Sequence, residues 1–291
     1  MTKVNSTPLI LNGRHLADEV LNNISNEINL LKSKNKRIPG LAVVLVGDNP
    51  ASLTYVNNKE KTSKKIGIYS EVHKLAVNVS ETELIKQVKL LNNNKNIDGI
   101  LVQLPLPAHI KSDKVIEQLD PNKDVDGLHP YNLGKLFSGQ DCLVPCTPLG
   151  IMEILKHYSI NLSGIHTVVI GRSTLVGKPL AALLLGKNAT VTIAHSKTEN
   201  IESVSRTADI LISAVGKAKL IKSSWVKNDA IVIDVGINKV YENGISKSVG
   251  DVDFENVKSV CKAITPVPGG VGPMTIAMLM ANTLKAYKKN D

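Results

Sequence analysis

Tyr55 and Lys59 stand four residues apart in a stretch with helical spacing of apolar residues, so their side chains share one face, a turn apart. Their heads can meet one ligand. Asn49 followed by Pro50 marks the start of that helix as an N-cap and a first-turn proline. Lys61, Lys64 and Lys65 surround Lys59, and four solvent-facing lysines is the plain reading of the run. Lys59, however, lies beside the apolar seam of Leu53, Val56 and Ile66 and is the least hydrated of the four. A partly desolvated lysine can serve as a general base, or as a donor to a reacting nitrogen or water.

Two loops supply partners. An apolar strand ending at Gln103 runs into Leu104-Pro105-Leu106-Pro107, a stiff exit that places the Gln103 amide at the carboxyl end of a sheet, where α/β proteins bind ligands. Asp124-Val125-Asp126-Gly127 follows. Asp124 reads as a turn or capping residue, and Asp126 as the carboxylate presented to a ligand. Near the C-terminus, Pro266, Pro268, Gly269, Gly270, Gly272 and Pro273 make a loop that is stiff and lets its backbone approach a flat ligand closely. A tight entry into the last helix would use the same residues.

A nucleotide phosphate site is the reading of the segment that begins at His166. An apolar strand ends at Gly171-Arg172-Ser173, and Gly177, Lys178 and Pro179 open the next helix, whose N–H groups and dipole favour an anion. The match to the dinucleotide pattern G-x-G-x-x-G is partial. Ser173 occupies the middle glycine position and Gly177 falls one place late, so an ordinary strand–turn–helix corner fits the local pattern too. The next strand ends in His195-Ser196-Lys197-Thr198, where an NAD-preferring site places an acidic residue against the ribose. With no carboxylate there, and with Arg172 and Ser196 as donors, a 2′-phosphate is accommodated, which favours NADP.

The elements that position these residues form an α/β chain. Strands are predicted near residues 41–46, 70–75 and 99–103, with helices near 50–66, 81–93 and 112–118, and further strands near 167–170, 190–194, 210–214 and 231–235. A seam falls between Pro145 and Pro148, ahead of a helix over 149–158, and a last helix over 273–288 is placed to return to the first domain. The division expected is 1–146, completed by 273–291, and 147–272, with a cleft between them. A hydrophobic content of 43% over 291 residues is enough to build two cores.

No apolar run is long enough to span a bilayer and the first residues lack a secretory h-region, so a soluble, cytoplasmic protein with no membrane partner is expected. Three cysteines, Cys142, Cys146 and Cys261, read as reduced thiols; Cys142 and Cys146 have a spacing some metal sites use, but none of the seven histidines makes a ligand pair with a nearby Cys or His, so no metal is expected. The net charge of +9 points to anionic partners. Aromatics at 3% and dispersed lysines argue against nucleic acid and for small polyanions.

Taken together, Tyr55 to Lys61, Gln103 to Pro107, Lys123 to Gly127, Pro145 to Pro148, Gly171 to Pro179 and Pro268 to Thr275 resemble the bifunctional methylenetetrahydrofolate dehydrogenase/methenyltetrahydrofolate cyclohydrolase family in its two-domain bacterial form. The resemblance spans nearly the whole chain. It implies an N-terminal α/β catalytic domain plus a Rossmann-like NADP-binding domain with a parallel sheet. It also implies oxidation of 5,10-methylenetetrahydrofolate by NADP+, then hydrolysis of the methenyl product to 10-formyltetrahydrofolate. On this resemblance Lys59 assists water attack and proton transfer, Gln103 orients it, Tyr55 packs the folate rings and Asp126 anchors the pterin. Gly171, Arg172, Ser173, Ser196 and Ile237 hold NADP, while Pro268, Gly269, Gly270 and Pro273 wall the folate side. A homodimer is implied as well. The nearest other reading is a two-domain NADP-linked dehydrogenase resembling shikimate dehydrogenase.

Overall fold

The computed structural model describes residues 7–242 and 245–290. In chain order its first elements are β1 (Leu9–Ile10), α1 (Gly13–Ser33), β2 (Gly40–Val46), α2 (Pro50–Ile66), β3 (Tyr69–Leu75), α3 (Glu81–Asn93), β4 (Gly99–Val102), α4 (Ser112–Ile116), α5 (Pro130–Phe137) and α6 (Cys146–His157). There follow β5 (His166–Ile170), α7 (Gly177–Leu185), β6 (Thr190–Ala194), α8 (Ile201–Ser205), β7 (Ile210–Ser213), β8 (Ile231–Asp234), β9 (Asn238–Glu242), β10 (Ile245–Val249), α9 (Phe254–Val257), β11 (Ala263–Ile264) and α10 (Val271–Asn290).

These elements form two units. One takes Asp18–Cys146 and the chain from Ile276 onward; the other takes Thr147–Thr275 and the N-terminal residues as far as Ala17. The expected division, with 1–146 as one block, differs at the N-terminus. There β1 pairs in parallel with β11, Leu9 opposite Ala263 and Ile10 opposite Ile264, which draws the first strand into the sheet of the later unit.

In the first unit β2 lies between β3 and β4, all parallel. Every residue of β2 is buried because helices cover both faces of a parallel sheet, which is why it reads as an unbroken apolar run. Ala42, Val44 and Val46 pack with Leu84, Val88 and Leu91 of α3, and the alternate residues Leu41, Val43 and Leu45 are buried on the opposite face. The chain runs from β2 to β3 on one side and comes back to β4 on the other. That reversal makes a topological switch point at the carboxyl ends of β2 and β4, where α2 begins and Gln103 emerges.

The second unit is a parallel sheet in the order β1-β11-β8-β7-β5-β6. It repeats the same logic. β5 pairs with β6 on one side and β7 on the other, so the switch point falls at the carboxyl ends of β5 and β7. Its core includes Val168, Ile170, Leu211, Val232 and Ile264, and an antiparallel hairpin, β9 with β10, follows β8. Among the described residues no helix is long and apolar enough to cross a membrane.

Candidate active site

Asn49 caps α2 by accepting the Ala51 and Ser52 N–H groups at 3.0 and 3.2 Å, with Pro50 in the first turn, so the register of the helix is set from its N-terminus. That register puts Tyr55 and Lys59 on one face. Lys59 is half-buried while Lys61, Lys64 and Lys65 are exposed, as the apolar seam predicts. Its Nζ donates to Gln103 Oε1 at 3.0 Å. Gln103 is oriented in turn, since its Nε2 donates to Leu104 O at 2.7 Å and its backbone N–H to Val44 O at 2.8 Å. Tyr55, one turn earlier, is 43% exposed. Its ring is available to a ligand.

The two aspartates separate by environment. Asp124 is buried, and its Oδ2 accepts the His129 N–H at 2.8 Å and the Asn132 amide at 2.9 Å, so it anchors the turn. Burial pushes its carboxyl above the ordinary range, against the pull of those hydrogen bonds. Asp126 is half-buried. Gly127 follows at φ +69°, where a Cβ would lie 2.5 Å from Val144 C and Pro145 N, so the turn packs backbone to backbone on residues 144–145.

Sequence reasoning missed what holds this turn. Asn282 of α10, buried, donates through its amide to Val125 O and Val144 O at 2.8 Å each, joining the two strands of chain that flank Asp126. Cys146 also belongs here: its thiol donates to Val125 O at 3.3 Å. Burial drives that thiol well above its usual pKa; Asp126 raises it further and Lys59 opposes, which places both charged groups around one sulfur. Lys59, Gln103 and Asp126 are thereby brought into one neighbourhood of the first unit. A cavity of about 330 Å³ opens at the same switch point, lined by Asp48, Asn49, Pro105 and Pro107 but by none of the four candidate residues.

In the second unit Gly171 ends β5 at φ +127°, and its N–H donates to Ala194 O at 2.8 Å. A Cβ on Gly171 would stand 2.4 Å from Ala214 O, and one on Gly177 would stand 2.1 Å from Gly171 O. Both glycines are there for close approach, the second letting the start of α7 rest on the turn. Ser173 Oγ accepts the Val176 N–H at 3.1 Å and so closes the loop before the helix. Register pairs Ile170 with Ala194, so Arg172 and Ser196, each two residues further on, lie in the turns that follow two adjacent strands. Both are exposed. A cradle that a Cβ would fill, a helix start, and an exposed Arg172 and Ser196 just beyond the ends of adjacent strands fit the phosphates of a dinucleotide.

Ile237 is 49% exposed in the turn after β8. With Gly236, Pro268, Gly269, Gly270 and Pro273 it lines a cavity of about 110 Å³. The proline–glycine loop therefore meets the Ile237 turn within one unit, a juxtaposition that local sequence did not show.

Two parallel sheets with ligand groups at their switch points, one presenting an amine and a carboxylate and the other a phosphate cradle, define a two-unit dinucleotide-dependent α/β enzyme. Residues 11–126 match the model of the tetrahydrofolate dehydrogenase/cyclohydrolase catalytic domain, and residues 145–291 that of the NAD(P)-binding domain of the same enzymes. The chain belongs to the tetrahydrofolate dehydrogenase/cyclohydrolase family. It is 53% identical over 280 residues to the bifunctional protein FolD of Nitratiruptor sp., covering 96% of this chain and 98% of that one. The crystal structure of the bifunctional FolD enzyme from Campylobacter jejuni superimposes with a TM-score of 0.93 at 48% identity, covering 96% and 98% of the two chains. The Trypanosoma brucei FolD enzyme, solved in complex with NADP cofactor and an inhibitor, gives a TM-score of 0.93 at 36% identity over 97% and 98%.

Proposed function

We propose that this chain oxidises 5,10-methylenetetrahydrofolate to the 5,10-methenyl cation with NADP+ and hydrolyses that cation to 10-formyltetrahydrofolate. The observation that carries the proposal is the Lys59–Gln103 pair: an amine on a half-buried helix face, held at 3.0 Å by a carbonyl whose own amide is fixed elsewhere. When bound, NADP+ supplies the hydride acceptor. The chain supplies position and proton handling.

Gln103 Oε1 engages one of the three N–H groups of the Lys59 ammonium and leaves the others to a folate nitrogen or a water. In the hydrolytic step water adds to the methenyl carbon and one C–N bond breaks. A proton leaves the water and another is delivered to the departing nitrogen, and Lys59 Nζ is the group placed for that traffic. Tyr55 offers an exposed ring for the flat pteridine and aminobenzoyl system. Asp126, the less buried of the two aspartates, offers a carboxylate to pterin N–H donors. These roles are supported by the side-chain geometry and the family membership together.

Gly171, Arg172, Ser173 and Ser196 would hold the phosphates of NADP, with Arg172 and Ser196 on the 2′-phosphate, and the backbone of Ile237 would contact the cofactor. Pro268, Gly269, Gly270 and Pro273 would wall the folate. We extend the proposal to a cytoplasmic homodimer, for which the family resemblance is the support; a monomer in light scattering at micromolar concentration would remove that part.

The test is spectroscopic. Methenyltetrahydrofolate mixed with enzyme and no nucleotide is expected to lose its near-ultraviolet absorbance, and methylenetetrahydrofolate is expected to reduce NADP+ faster than NAD+. A shikimate-type dehydrogenase would do neither. Failure of both reactions would discard the reading.

A further inference from the structure

Asp251 follows the β9–β10 hairpin, lies outside every motif singled out in the sequence, and is wholly buried. Its carboxylate gathers five donors. Oδ2 accepts from Val215 N at 2.7 Å, Gly216 N at 3.2 Å and Ser213 Oγ at 3.3 Å. Oδ1 accepts from Lys217 N at 2.9 Å and Asn238 Nδ2 at 3.0 Å. Its own N–H donates to Asp234 Oδ1 at 2.9 Å, and the Asp234 carboxylate takes the Gly236 and Val252 N–H groups at 2.9 Å each.

These bonds converge on two turns. Ile237 is bracketed by Asp251: a Cβ on Gly236 would stand 2.1 Å from Asp251 Oδ1, and Asn238 is hydrogen-bonded to that same oxygen. Residues 215–217, the other turn, leave β7 at the switch point, just beyond Ala214, whose carbonyl oxygen sits against Gly171. One buried carboxylate thus ties the segment beside the phosphate turn to the segment that carries Ile237. A carboxylate costs free energy to bury, and here five donors, the Ser213 hydroxyl at the end of β7, three loop amides and a hairpin side chain, offset it. Nothing in packing alone requires a carboxylate at this place.

We propose that Asp251 is a positioning residue of the nucleotide site: it holds the turn after β7 and the Ile237 turn in the arrangement that binds NADP, without touching the cofactor. The assignment rests on the NADP reading above. Removing the acceptor frees both turns, so nucleotide affinity falls while the chemistry of the other unit is untouched.

The experiment compares wild type, Asp251→Asn and Asn238→Ala in the full chain by NADP titration, by dehydrogenase kinetics and by nucleotide-free hydrolysis of methenyltetrahydrofolate. Asp251→Asn is expected to weaken NADP binding roughly tenfold or more, the order set by loss of charge-assisted hydrogen bonds, and to raise the KM for NADP+. At saturating NADP+ its kcat and its hydrolytic rate are expected to stay within about twofold of wild type. Asn238→Ala, which keeps the carboxylate and deletes one donor, is expected to show the same pattern to a smaller degree and serves if the first variant does not fold. Unchanged NADP affinity in the folded variants, or parallel loss of both activities, would overturn the assignment. A wild-type chain that binds no NADP would instead count against the functional reading itself.

Discussion

Gln103 turns its carbonyl oxygen, not its amide nitrogen, toward the Lys59 ammonium, at 3.0 Å, because that nitrogen is already committed to Leu104 O at 2.7 Å. The pair is therefore directional, with the lysine as donor. Replacing Lys59 by Met keeps the length and apolar stem but removes the donor. We expect Lys59→Met to abolish methenyltetrahydrofolate hydrolysis and to slow the dehydrogenase by roughly a hundredfold or more, the scale of a lost acid–base group. NADP affinity should stay near that of wild type. Rates within a few-fold of wild type in stopped-flow assays would refute the mechanism.

Arg172 and Ser196 leave neighbouring strands from equivalent register positions, and no carboxylate stands in the turn between His195 and Thr198. A 2′-phosphate gains from the guanidinium; a 2′-hydroxyl does not. Arg172→Ala is expected to raise the KM for NADP+ by about tenfold or more while changing that for NAD+ by less than about threefold. Equal losses for the two nucleotides would take the 2′-phosphate away from Arg172.

The start of α7 rests on the phosphate turn through Gly177, where a Cβ would lie 2.1 Å from Gly171 O and 3.0 Å from Arg172 Cα. Both neighbours are backbone, which cannot swing aside as a side chain does. Gly177→Ala is expected to cost about 2 kcal/mol or more of stability through overpacking. It should also weaken NADP binding by displacing the turn. Urea unfolding and nucleotide titration measure the two effects, and a variant matching wild type in both would show that the turn tolerates the shift.

Burial pushes the carboxyl of Asp234 up from 3.8 to about 6, despite the three backbone N–H groups that pull it down. The folded chain then holds a proton that the unfolded chain releases, so this group's stabilising contribution is largest below about 3.8 and is lost as pH rises through about 6. Between pH 4.5 and 7.5 wild type should lose about 2 kcal/mol relative to Asp234→Asn, from a factor of 1.36 kcal/mol per pH unit. Urea titrations at several pH values read this directly. Parallel pH profiles for the two proteins would sink it.

The elements nearest the chemistry were legible because their signals are local. Asn49, Pro50 and the seam of Val56 and Ile66 bound α2 at the residues expected, and the turn after β5 follows from a glycine closing an apolar run. Other parts carry weaker or distant signals. Leu16, Val20, Ile24 and Ile28 repeat every four residues and lie in α1, which precedes the first element predicted from the sequence, the strand near 41–46. The two-residue strands β1 and β11 have no pattern of their own and exist only through their pairing. Asn282 sits in a helix that reads as Met, Ala and Leu, and its role appears only once two carbonyls, those of Val125 and Val144, lie beneath it. Asp251 is the extreme case, since its five donors come from residues 213–217 and from Asn238, each distant from it in sequence.

Neither unit is a continuous piece of chain. Leu9 pairs with Ala263, and the carbonyls of Val125 and Val144 wait for the amide of Asn282. A nascent polypeptide emerging from the ribosome would therefore hold the turn at Asp126 unfinished until Asn282 had been made. Cutting the gene at residue 146 to isolate the unit that carries Lys59 would leave that turn without its fastener, because Asn282 of α10 belongs to the same unit.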